Sequence, residues 1–220
     1  EIVNIRDKDG KSSWPEKNTE ADIDRVLSLI SYESAQKEYF NNPMDGGDTF
    51  RTLTDGKMPP LSRCAVVIYA DPATSNKDVS SGSYKAVGVI ALHERTYHIA
   101  KVRLDTMSTA HFVGALFDLY QWATDRKAED VKVFIENNSL QNPFFEQVIM
   151  PAIRAEGDAR HVLLPVIPDT RDKKDKYTRI EGLLEPLNRA GLLSFNTAES
   201  DNPDMKRLKA QFKGFSRKQR

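Results

Sequence analysis

Two carboxylates stand where their surroundings make chemistry possible. Asp71 is the first acid after the apolar run Ala65-Val66-Val67-Ile68-Tyr69-Ala70, and Glu136 is the first after Val131-Lys132-Val133-Phe134-Ile135. Runs of this length and composition read as buried strands. If the two strands are neighbours, both side chains emerge together at one edge of the sheet. Two such anions repel and lose hydration, which is costly unless a cation lies between them. Few, hard oxygen donors suit Mg²⁺ or Mn²⁺, ions that keep waters and accept phosphate oxygens as further ligands. A pair of such ions ~3.5–4 Å apart can serve both the attacking and the leaving oxygen of a phosphodiester. The same residues also fit a plainer use, with Asp71 capping a turn before Pro72 and Glu136 opening a helix.

Other residue types offer less. His93, His98, His111 and His161 have no zinc-site spacing, and Cys64 is a small residue inside a strand with no CxxC partner. One cysteine excludes a disulfide-stapled secreted domain. Gly10-Lys11-Ser12 has the ending of a phosphate-binding loop, but Ile5 stands where its first glycine belongs, so no ATPase site is read here. Phe112, Phe117, Tyr120, Trp122, Phe144 and Phe145 sit at helical spacings and read as core. The 32 basic and 32 acidic side chains cancel, which argues against binding nucleic acid by bulk charge alone. Seven Lys or Arg and no acid fall between Lys206 and Arg220, a pattern of a solvated helix face. No apolar run approaches the ~20 residues that span a bilayer, so no membrane association is expected and the cytoplasm is the default location.

The elements that must hold Asp71 and Glu136 are legible around them. Lys85–Leu92 and Thr96–Leu104 read as a strand pair joined at His93-Glu94-Arg95. A long helix follows, capped by Ser108 or Thr109, with Phe112, Leu116, Leu119, Tyr120 and Ala123 as its buried stripe. Glu136 is followed by a helix from Asn142-Pro143, a strand over His161–Val166 limited by Pro165, and a helix over Lys176–Arg189 kinked by Pro186. Leu192–Phe195 is a short extended piece and Asp204–Phe215 a last helix. Residues 1–60 look different, with an amphipathic helix carrying Ile23, Val26, Leu27 and Ile30 after a Thr19 cap, then a shorter helix and Gly- and Pro-rich connections. They read as an arm or linker, and 61–220 as the domain. Three strands, then helix, strand, helix, strand and helix, predict an α/β fold with a mixed sheet and helices on both faces, in ribonuclease H-like order.

Several segments resemble the nuclease domain of the large terminase subunits of tailed phages. They are Val66 to Ala73 with Ser83 to Val87, then Phe134-Ile135-Glu136-Asn137-Asn138, then Lys176 to Ile180 with Ala190-Gly191-Leu192. Trp14-Pro15-Glu16 and Tyr39-Phe40-Asn41-Asn42-Pro43 are similar to the segment leading out of that family's motor domain. The resemblance implies a metal-dependent endonuclease cutting concatemeric double-stranded viral DNA during genome packaging in the host cytoplasm. It implies that Asp71 bridges two Mg²⁺ or Mn²⁺ ions, that Glu136 holds one, and that Lys176 and Arg179 contact the phosphate backbone. It further implies a small terminase subunit and a portal protein as partners, and a motor domain ahead of residue 1. Two departures stand out. Ser83 occupies a position where many members carry an acid, and the third carboxylate of the family is expected beyond Arg220, so these residues by themselves are expected to bind metal poorly and cut slowly. Two other readings remain open: a docking module that does no chemistry, and another ribonuclease H-like enzyme such as a resolvase or transposase.

Overall fold

The structure is a computed structural model that describes residues 3–30, 32–41, 49–73, 84–137, 142–171 and 175–215. The polar loop 74–83 with Ser83, the Gly46-Gly47 connection and Asn138 lie outside the described residues. The chain divides into two compact units: Asp55–Asp172 with Ser194–Lys209, and Glu1–Thr54 with Lys173–Leu193 and Ala210–Arg220.

The larger unit is organised on a mixed sheet. Its strands are β1 (Thr54–Gly56), β2 (Ala65–Asp71), β3 (Lys85–His93), β4 (Thr96–Asp105), β5 (Lys132–Glu136), β6 (Val166–Asp169) and β7 (Leu193–Asn196), in the order β1-β7-β4-β3-β2-β5-β6. β2, β3 and β4 run as antiparallel neighbours, whereas β5 lies parallel to β2 and β6 parallel to β5. Burial alternates along the central strands as the pleat requires. Ile68, Ala70, Val87, Val89, Val133 and Ile135 are fully buried. Val67, Tyr69 and Phe134, pointing the other way, are half-buried. The reading of β2 as a buried strand therefore holds in full for one face only. Its apolar run serves one fully buried face and one that also carries the acids.

Helix α3 (Thr109–Asp125), third after α1 (Glu20–Leu29) and α2 (Tyr32–Tyr39), covers the buried face. The Ser108 hydroxyl caps it by accepting the His111 N–H at 3.2 Å, and Phe112, Leu116, Leu119 and Ala123 form its inward stripe. The helix over 142–160 joins the same core through Phe145, Ile149 and Ile153. It contains a wide π turn, Phe145–Ile149, in which the Met150 N–H bonds the Phe145 carbonyl just before Pro151. The helix over 176–189 repeats the device, the Glu185 N–H bonding the Ile180 carbonyl just before Pro186. At Pro186, where the sequence predicts a kink, this i→i−5 turn accommodates the missing proline N–H.

The strand read over His161–Val166 is the main correction to the element boundaries. His161 ends the preceding helix in a left-handed conformation at φ 55°, and β6 begins only at Val166 and runs to Asp169. Its place at the sheet edge tolerates Pro168 within the strand. β1 was not anticipated, since three residues with no apolar pattern carry no strand signal. β7 is buried at all four positions, and Asn196 ties it to β4 by donating to the Ala100 carbonyl at 2.9 Å.

The smaller unit is helical and aromatic. Thr19 caps α1 by accepting the Asp22 N–H at 3.2 Å. Phe50 packs edge-on to Phe212 and Phe215, with centroids 4.8 and 5.9 Å away, and Tyr177 stacks on Phe215 at 5.2 Å. Arg189 donates to the Leu27 and Ile30 carbonyls, satisfying orphan acceptors at the end of α1.

Candidate active site

Asp71 ends β2 and Glu136 ends β5. The parallel pairing Ala70↔Ile135 makes them the next two residues in register, so they share one row and one face. Adjacent strands lie ~4.8 Å apart, which sets the spacing of the two side-chain bases. Both residues are half-buried. The Asp71 carboxylate accepts the Ala73 N–H at 3.0 Å, a turn that fixes its direction just past the strand. The capping use of Asp71 and its place beside Glu136 thus coexist.

The row has a third member that sequence reasoning missed. β6 continues the register with Glu136↔Asp169, placing Asp169 beside Glu136 on the same face. Its side chain is only 2 % exposed and binds Arg171 through both oxygens, at 2.7 and 3.0 Å. The Tyr69 hydroxyl reaches across β5 to donate to Asp169 at 2.7 Å. Val166-Ile167-Pro168-Asp169 has the same grammar as the other two strands, an apolar stretch closed by an acid. Two prolines, Pro165 and Pro168, masked that signal.

Asp71 and Glu136 supply hard carboxylate oxygens from two rigid strand ends, a donor set that fits Mg²⁺ or Mn²⁺ with the remaining positions left to water and substrate. Among the described residues, no three His, Cys, Asp or Glu side chains converge as a closed cage. Lys176 and Arg179 fall in the other unit, in the first turn of the 176–189 helix, where Asp175 caps by accepting the Thr178 N–H at 3.1 Å. Three residues apart, they share a helix face; Lys176 is exposed and Arg179 half-buried.

Elsewhere in the larger unit the signals are structural. A cavity of about 390 Å³ bounded by Tyr120, Val131, Lys132 and Val166 sits at the opposite ends of β5 and β6 from the acid row. Burial, with the nearby His93, lowers the His98 pKa, which favours its neutral imidazole. The Cys64 thiol is pushed up by burial, away from nucleophilic reactivity. No described helix is long and apolar enough to cross a membrane.

A mixed sheet of this order, with acids closing two adjacent parallel strands, is the ribonuclease H-like fold. More narrowly, the fold is that of terminase nuclease domains. The chain is similar to the terminase nuclease domain of human cytomegalovirus, in a manganese-soaked, inhibitor-bound form, at 12% identity and TM-score 0.51, over 74% of this chain and 82% of that one. It is similar to the large terminase of a thermophilic bacteriophage at 11% identity and TM-score 0.50, over 90% of this chain and 47% of that one. It thus spans just under half the length of the phage protein. No protein-family model and no curated protein matches the sequence.

Proposed function

We propose that the chain is a metal-dependent endonuclease that cuts double-stranded DNA during viral genome packaging. The observation that carries this reading is the shared row of Asp71 and Glu136 at the ends of adjacent parallel strands, within a terminase nuclease fold. Asp71 and Glu136 would hold Mg²⁺ or Mn²⁺, with two ions expected. When bound, these ions supply Lewis acidity and neutralise charge developing on the phosphate. The manganese soak of the cytomegalovirus domain supports that choice of metal.

The chain's own residues have simpler tasks. Asp71 and Glu136 present oxygen donors whose directions are set by the sheet and, for Asp71, by the Ala73 N–H. Lys176 and Arg179 contact the DNA backbone, which fixes position without reading sequence. Residues 1–60 act as the arm from a motor domain, and a small terminase subunit and a portal protein are the partners. The work is done in the host cytoplasm.

Substrate form tests this against the resolvase reading. The chain is expected to cut plain duplex DNA and four-way junctions at comparable rates in Mn²⁺. Cutting confined to junctions would overturn the packaging role.

A further inference from the structure

We propose that Arg171 contacts a backbone phosphate of the nucleic acid at this site, and that Asp169 is the positioning residue holding it there. The inference rests on the nuclease reading above and adds a substrate contact to it.

Asp169 is filled as an acceptor. Its Oδ1 takes the Arg171 Nε–H at 2.7 Å and the Arg171 backbone N–H at 3.3 Å. Its Oδ2 takes the Arg171 Nη2–H at 3.0 Å and the Tyr69 hydroxyl at 2.7 Å. Those four bonds use the roughly four lone-pair sites of a carboxylate. In this arrangement Asp169 serves as an anchor, although it stands in the same row as Glu136.

What it anchors is a cation at the surface. The Arg171 side chain is 78% exposed while that of Asp169 is 2% exposed. Exposed arginines are usually loosely held, and ion pairs on the surface order them little. Here one edge of the guanidinium is fixed in a two-bond fork. Two of its ~five N–H donors are spent on the side-chain carboxylate, and among the described residues no other side chain takes the rest. A fork with one edge anchored and the other open matches a phosphate's paired oxygens, and it loses little freedom on binding. The bonds to Asp169 also hold Arg171 firmly in its charged form.

Its location gives the cation a purpose. Asp169 is one strand from Glu136 and two from Asp71, on the same face. A phosphodiester approaching two carboxylates meets repulsion, and a fixed cation at the same sheet edge offsets it. The contact reads no base, so the ligand class is the sugar–phosphate backbone of duplex DNA.

The test measures binding of a short blunt DNA duplex against salt, in EDTA so that nothing is cut, and cleavage kinetics in Mn²⁺. Arg171→Ala should lower the slope of log K against log salt by about 0.9, the value for one phosphate. It should raise KM roughly tenfold with a smaller change in kcat. Arg154→Ala, which removes an exposed cation on the 142–160 helix, should leave both unchanged. Arg171→Lys should restore the slope but only part of KM, since a point charge replaces a fork. Asp169→Asn should raise KM while Arg171 is still present, and the two changes combined should cost little more than Arg171→Ala alone. An unchanged slope in Arg171→Ala, an equal loss in Arg154→Ala, full recovery by lysine, or independent addition of the two effects would overturn the proposal. Should Asp169→Asn fail to fold, the alanine and lysine variants decide it. Asp71→Asn separates the two readings: normal cutting by that variant defeats the nuclease site, whereas a parental slope in Arg171→Ala defeats only the phosphate contact.

Discussion

Asp71→Asn and Glu136→Gln are each expected to lower Mn²⁺-dependent DNA cleavage by on the order of 10²–10³-fold, the scale of loss when one preorganised stabilising group is removed from a reacting centre. Each keeps the size and much of the hydrogen bonding of the original side chain. The asparagine in place of Asp71 retains an oxygen for the Ala73 N–H, so the turn after β2 survives. What is lost is an anionic oxygen donor. The metal-free protein should melt at the same temperature or slightly higher, because one of two neighbouring half-buried anions is gone. Thermal melts and single-turnover cleavage on the same preparations check both halves. A variant that melts low and cuts slowly would indicate only a damaged fold.

The second large effect lies one residue below the acids. Ile135 is fully buried and pairs with Ala70, immediately before Glu136 and Asp71. Its side chain joins the core that α3 covers, together with Ile68, Val133 and Phe112. Ile135→Ala should destabilise the protein by about 2–5 kcal/mol, and Ile135→Val by about 0.5–1.5 kcal/mol. Against a typical total of about 5–15 kcal/mol, the alanine variant stands near the edge of unfolding. Urea titration measures the loss. Cleavage by the folded fraction should also fall, because the cavity lies directly under the row that sets the spacing of the two carboxylates. The valine variant should cut normally, since the row is kept.

Much of this arrangement was legible because the relevant signals are local. Val66 to Ala70 and Val133 to Ile135 are apolar runs closed by an acid, and the α3 stripe of Phe112, Leu116 and Leu119 follows a serine cap. The adjacency of Asp71 and Glu136 is a different matter. Nothing in either run says which strands pair, and only the parallel register of β2 with β5 brings the acids together. β6 was misplaced because Pro165 looked like the end of a strand. In the structure it stands just before one, its carbonyl accepting the Val133 N–H at 3.2 Å. That shift hid Asp169, and with it the bonds from Tyr69 and Arg171 across a sequence gap no spacing rule covers. The π turns before Pro151 and Pro186 were also invisible, since a proline announces a lost N–H but not how a helix makes room for it.

The most direct test of the account is the conversion of supercoiled plasmid by this chain in Mn²⁺, in Mg²⁺ and in EDTA. Nicked and linear products are expected with a divalent ion and none in EDTA, the activity returning when metal is restored. Cutting that persists in EDTA, or intact plasmid under every metal condition, would contradict it.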